Sequence, residues 1–121
     1  MVVGRKLTKA LRGKRRWVGV AFRQGVVDRA TAGRLLRHLD EDLNTVQPLR
    51  LMDFVEPSVH GLEDERWLGI LCVRLEDSAS LREALNEADA LDQRGMQSKT
   101  TSGKIRLVRE RLGLPKPKRR R

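Results

Sequence analysis

The chain is poor in the side chains on which most staples, metal sites and enzyme centres depend. Its 121 residues hold one cysteine, Cys72, so no disulfide closes within the chain and no multi-cysteine metal site can be built from it. His38 and His60, the two histidines, lie far apart with no H-E-x-x-H or Cys/His spacing around them, and no bound metal or cofactor is expected. Aromatics number four, two Trp and two Phe, with no Tyr. No apolar run reaches the ~20 residues that span a bilayer, and the basic start leads into no secretory-type apolar segment. A soluble, cytoplasmic chain with no membrane partner is the expectation.

What is present in excess is positive charge, and it is unevenly placed. Lys and Arg number 26 against 16 Asp and Glu, a net +10. Residues 1–16 carry +7 without a single acid, residues 94–121 carry +10, and the stretch between them is net −7. A mildly acidic body with two basic ends suits solvated arms or a shared patch that neutralises phosphates. The acidic runs Asp40-Glu41-Asp42 and Glu63-Asp64-Glu65 diverge on a helix or loop and have no Mg²⁺ ligand geometry, so they read as solvated faces. The length suits one domain, divided here into a basic arm at 1–15, a folded domain at 16–113 and a basic tail at 114–121.

Periodicity gives the body its elements. Val18, Val20 and Phe22 alternate in a first strand from Trp17. Asp28 is placed to cap a helix in which Ala32, Leu35, Leu36, Leu39 and Leu43 share a stripe. Leu49 to Val55 reads as a second strand ending near Pro57, followed by a loop from Ser58 to Arg66. Trp67 to Leu75 reads as a central strand, being the most apolar stretch. Ser80-Leu81-Arg82-Glu83 fits a capping box opening a helix with Leu81, Ala84, Leu85, Ala88 and Leu91 on one stripe, ended by Gly95. Met96 to Thr101 reads as a polar edge strand. Thr101 to Lys104 opens a last helix with Ile105, Val108 and Leu112 on one stripe, Lys104 and Arg111 on one flank, and Arg106 and Arg109 on the other. Gly113 and Pro115 stop it.

Strand, helix, strand, strand, helix, strand, helix predicts an α+β, ferredoxin-like or RNA-recognition-like sandwich, βαββαβ with a C-terminal helix. Both main helices then cover one face of the sheet, leaving the other for a partner or the last helix. The segment Arg66 to Val73 lacks the stacking aromatics of the RNA-recognition signature, so any RNA would be read by backbone and shape. Trp17 and Trp67 fit core packing or a partner pocket better than base stacking. The fold alone names no function.

The order of three segments carries a resemblance. Leu11-Arg12-Gly13-Lys14-Arg15-Arg16-Trp17-Val18-Gly19-Val20-Ala21-Phe22 resembles the opening of the archaeal ribonuclease P protein component 2 family, a basic stretch running into Arg-aromatic and a first strand. Gly69-Ile70-Leu71-Cys72-Val73-Arg74 with the helix after it is similar to that family's central strand and following helix. Thr101-Ser102-Gly103-Lys104-Ile105-Arg106 is similar to its Ser-Gly-Thr-Ile-(Lys/Arg) segment, departing from it in Lys104 where the family has Thr and in the polar segment before Ser102. The resemblance implies a subunit of a ribonucleoprotein that removes 5′ leaders from precursor tRNA. It also implies a component 3 protein partner, compatibility with a dimer of such heterodimers, and catalysis by the RNA with Mg²⁺ rather than by this chain.

The residues put forward for RNA contact are Arg12, Lys14, Arg15, Arg16, Lys99, Ser102, Gly103, Lys104, Arg106 and Arg109; none is put forward as catalytic. The hydroxyl-and-glycine turn at Ser102-Gly103 suits a phosphate near a helix start, while the spacing around Gly95 and Lys104 excludes a P-loop. A structural RNA-binding protein of ribosomal type is the alternative. A small-molecule regulatory module of ferredoxin-like form fits poorly with basic ends of this strength.

Overall fold

The computed structural model describes residues 14–56 and 66–114. Arg12, all of the loop read from Ser58 to Arg66 except Arg66 itself, and the tail from Pro115 lie outside the described residues. Within them the chain runs β1 (Arg15–Phe22), α1 (Arg29–Leu43), β2 (Arg50–Val55), β3 (Leu68–Arg74), α2 (Leu75–Leu85), α3 (Ala90–Gln93), β4 (Met96–Ser102) and α4 (Ile105–Arg111). The four strands form one antiparallel sheet in the order β2-β3-β1-β4. This α+β architecture is compatible with a ferredoxin-like arrangement.

Alternation along β1 feeds two cores. Val18, Val20 and Phe22 meet Ala32, Leu36 and Leu39 of α1 and Leu81 and Leu85 of α2 on one side of the sheet. Full burial of each such leucine contributes roughly 1.5–3 kcal/mol. On the other side Ala21, Leu68 and Ile70 pack under Val108, Leu112 and Leu114, so the terminal helix covers the second face. Gly19 makes that possible: a Cβ there would stand 2.9 Å from Leu112 Cδ1 and 3.0 Å from Val108 Cγ1. Three of the four aromatic rings join the first core, with Trp67 stacked on Phe54 at 4.6 Å and Phe54 edge-on to Phe22 at 5.4 Å.

Two irregularities in strand pairing reset the alternation. Between Leu51 and Asp53 the register of β2 against β3 slips by one residue, so Leu51 and Phe54 both reach the first core while Asp53 turns to the α4 side. On β4 the slip falls at Lys99, which stands between the partners of Gly19 and Val20 and points into solvent. Edge strands commonly carry such bulges and charges, which blunt pairing with another chain.

α1 starts as its sequence predicts, with Asp28 Oδ1 accepting from the Thr31 N–H at 2.7 Å. The second helix does not. It begins at Leu75, so exposed Ser80 sits inside it and caps nothing; Glu76 and Asp77 occupy its first turn, where carboxylates complement the helix dipole. It also breaks at Asn86, because Asn, Glu, Ala and Asp at 86–89 bring two poor helix formers and no core residue. Ala88 is therefore exposed, and Leu91 belongs to the one-turn α3. Gly95 ends α3 rather than the long helix, and its φ of +79° turns the chain into β4.

The last helix also starts later than its hydroxyl-rich lead suggests. Thr101 and Ser102 pair in β4, and Lys104 is the cap residue. Ser102 Oγ accepts from the Lys104 N–H at 3.1 Å, a turn ahead of the helix and not a helix cap. At the far end Gly113, with φ of +74°, closes α4 as expected: its N–H donates to Glu110 O and the Leu114 N–H to Arg109 O.

Candidate nucleic-acid interface

Antiparallel pairing of β1 with β4 brings together residues some 85 positions apart in the chain. Trp17 stands opposite Ser102 and Val18 opposite Thr101, so the entry of β1 lies beside the exit of β4. Arg16, just before Trp17, thereby meets Gly103, just after Ser102, at one corner of the sheet, with Lys14 and Arg15 preceding the one in the chain and Lys104 following the other. The contact is close, since a Cβ on Gly103 would come within 3.0 Å of Arg16 Nη1. Arg16 Nη1 also donates to the Arg15 carbonyl at 3.4 Å. Lys14 is held by its backbone, whose carbonyl accepts from the Leu75 N–H at 2.7 Å.

The remaining residues proposed from sequence divide into two groups. Lys99, Lys104 and Arg106 are exposed, Lys104 and Arg106 beside the corner and Lys99 on the bulge of the edge strand. Arg109, in contrast, is turned across the sheet to an ion pair with Asp53 of β2. Arg111 on the opposite flank of α4 donates to Thr100 Oγ1 at 3.2 Å and to the Thr101 carbonyl at 3.0 Å. The two flanks of the helix are thus tied to the two edges of the sheet.

Sequence reasoning missed two further arginines at this end. Arg15 pairs directly with Arg74 across β1 and β3, and Arg50 of β2 stands opposite Cys72, two residues before Arg74. Among the described residues Arg74 carries one ion pair, to Glu76 at 3.3 Å, and a hydrogen bond from the Glu76 backbone, with that from Arg74 second, holds this carboxyl below the ordinary range. Burial pushes the Cys72 thiol up, against the pull of Arg15 and Arg50 beside it. Only the strand register reveals this grouping; the pattern of residues within each strand has no such signal.

In the described acidic run, 40–42, Glu41 and Asp42 are exposed as expected, while Asp40 and Asp42 also make structural contacts. Asp40 Oδ1 accepts from Thr45 Oγ1 at 2.7 Å and from the Leu49 N–H at 2.9 Å, and Asp42 pairs with Arg94 at 2.7 Å. Asp77, 7% exposed, accepts from the Val46 and Gln47 N–H groups and fixes the approach to β2. No helix of the described residues is long and apolar enough to cross a membrane. No family model matches the chain, and neither a curated protein nor a solved structure matches it.

Proposed function

We propose that the chain is an RNA-binding subunit of ribonuclease P, of the archaeal component 2 type, acting in the cytoplasm. The observation that supports this reading best is the corner where Arg16 meets Gly103, which sets the basic start of β1 beside the turn that leads into α4. In this reading the sandwich is ferredoxin-like with RNA-recognition topology. Component 3 is its protein partner, and precursor tRNA is met through the RNA.

The chain's contribution is electrostatic. Lys14, Arg15, Arg16, Lys104 and Arg106 replace condensed counterions on a folded RNA, with the hydroxyl and backbone of Ser102-Gly103 beside them. Mg²⁺ serves the RNA, which performs the hydrolysis. Neutralising phosphates around the catalytic fold lowers the concentration of Mg²⁺ that this fold needs.

The test is to isolate the full chain with its bound RNA, identify that RNA, and measure leader removal by it with and without the chain and its partner. A precursor-cleaving RNA whose Mg²⁺ requirement drops when both proteins are added supports the reading. Ribosomal RNA in its place assigns the chain to the ribosomal-type alternative, and an unchanged Mg²⁺ requirement overturns the proposal. Leader removal by the chain freed of RNA overturns it as well.

A further inference from the structure

Among the described residues the α4 face of the sheet is covered over only part of its length. Val108 and Leu112 pack on Gly19, Ala21, Leu68 and Ile70, whereas the positions one and two pairs further along carry Trp17, Cys72, Arg50, Arg15 and Arg74. Alternation places these five on the same face, with neighbouring strands ~4.8 Å apart, so the three guanidinium stems span roughly 10 Å. Arg15 and Arg74 form a direct cross-strand pair of like charge, an arrangement that weakens a sheet unless something anionic offsets it. Among the described residues Glu76 is the one carboxylate that engages this group, and it engages Arg74 alone.

We propose that Arg15, Arg50 and Arg74 form a phosphate seat on the open end of this sheet face, and that its occupant is the backbone of a single-stranded RNA segment. Arg15 and Arg74 stand side by side on neighbouring strands and Arg50 one same-face pair away on the next, a cluster spread over three strands that suits successive phosphates of an unpaired segment. The half-buried Trp17 lies in the row of Arg50, between Cys72 and Ser102, next to the arginine pair, where an unstacked base can pack against it. This seat rests on the RNA-binding reading and extends it from Arg15, which the corner at Gly103 shares, onto Arg50 and Arg74 of the central body.

The experiment compares the full chain with its Arg50→Gln/Arg74→Gln variant, binding an oligouridylate and, separately, a folded RNA, across a salt series. The variant is expected to bind oligouridylate several-fold more weakly, with a slope of log K against log salt shallower by about 1.4, or ~0.7 for each single-strand phosphate lost. A second variant, Arg15→Gln, is expected to melt no lower than the parent, since it relieves the like-charge pair, while also losing oligouridylate affinity. Equal affinity and slope for parent and double variant overturn the seat and leave the RNA-binding reading standing, as does a parent that binds folded RNA but not oligouridylate. A parent that binds neither RNA removes the reading itself. Loss of binding to a polyglutamate peptide with oligouridylate unaffected overturns the seat in favour of an acidic protein surface, and a lowered melting temperature for Arg15→Gln overturns it in favour of a structural role.

Discussion

The Arg16 guanidinium lies over Gly103, with its Nη1 3.0 Å from where a Cβ on that glycine would be. A residue from the first strand and one from the exit of the last therefore hold each other's geometry, and the basic corner depends on the absence of a side chain at 103. The atom that would be met is the far end of a flexible chain, so the fold itself has room to adjust. Gly103→Ala is expected to leave the melting temperature unchanged and to weaken binding to folded RNA. Arg16→Gln should weaken it more, roughly tenfold, as a charge-assisted hydrogen bond of about 1.5 kcal/mol is removed. Thermal melts and filter binding on the two variants check both statements.

The two cores should respond differently to substitution. Leu85 is fully buried between α2 and the sheet, and Leu85→Ala is expected to destabilise the domain by about 2–5 kcal/mol through the cavity left behind. Gly19→Ala instead pushes on Leu112 and Val108, an overpacking effect of about 1–3 kcal/mol that displaces α4 from the sheet. Denaturant titrations give the magnitudes. Fluorescence of Trp17, which packs beside α4, separates a local displacement in the Gly19 variant from global unfolding in the other.

Much of this architecture is legible from residue pattern. Asp28 as a cap, the Ala32–Leu43 stripe and the apolar β3 all follow from spacing, because each is decided by neighbours within one or two turns. The strand at 96–102 is harder to see, since its pairing with β1 supplies what its polar residues do not. Ser80 misleads because a capping-box pattern costs nothing to write inside a helix, and the true start at Leu75 is set by the end of β3 and the bond from its N–H to Lys14. Asp53 and Phe54 cannot be placed by strict alternation; the bulge before Asp53 shifts the faces. The basic ends are plain in composition. That they meet at Gly103, and that Arg50 and Arg74 stand near them, depends on long-range register that no single segment encodes.

Asp28 gives the chain a pH-dependent component of stability with a definite sign. Hydrogen bonds from Thr31, backbone first and hydroxyl second, hold its carboxyl below the ordinary aspartate value of 3.8. A carboxyl that binds protons less readily when folded stabilises the fold in full above the unfolded value, and loses that contribution as pH falls through the folded one. Asp28→Ala should therefore melt lower than the parent at neutral pH, and the gap should close as pH drops below about 3.8. Melting curves of both proteins between neutral and acid pH test this, and a gap that persists at the acid end counts against the cap as its source.

The ion pair between Asp53 and Arg109 decides whether one of the residues put forward for RNA contact is available for it. Both side chains are about a quarter exposed, 31% and 21%, so the pair is neither a loose surface contact nor fully desolvated. Between those limits, breaking it should cost about 1 kcal/mol. Asp53→Asn keeps the shape and removes the carboxylate charge that Arg109 faces, on a flank shared with exposed Arg106. The variant is expected to be slightly less stable and to bind folded RNA more tightly, with the salt slope steeper by ~0.7–0.9 if one further phosphate is engaged. Arg109→Gln in the parent should weaken RNA binding little, because Asp53 already holds that charge, while Arg106→Gln should weaken it clearly. Arg109→Gln placed on the Asp53→Asn background should then abolish the gain. If Arg109→Gln alone weakens binding as much as Arg106→Gln, the RNA takes Arg109 from Asp53 on binding, and the flank of α4 facing β2 belongs to the interface with all its charge.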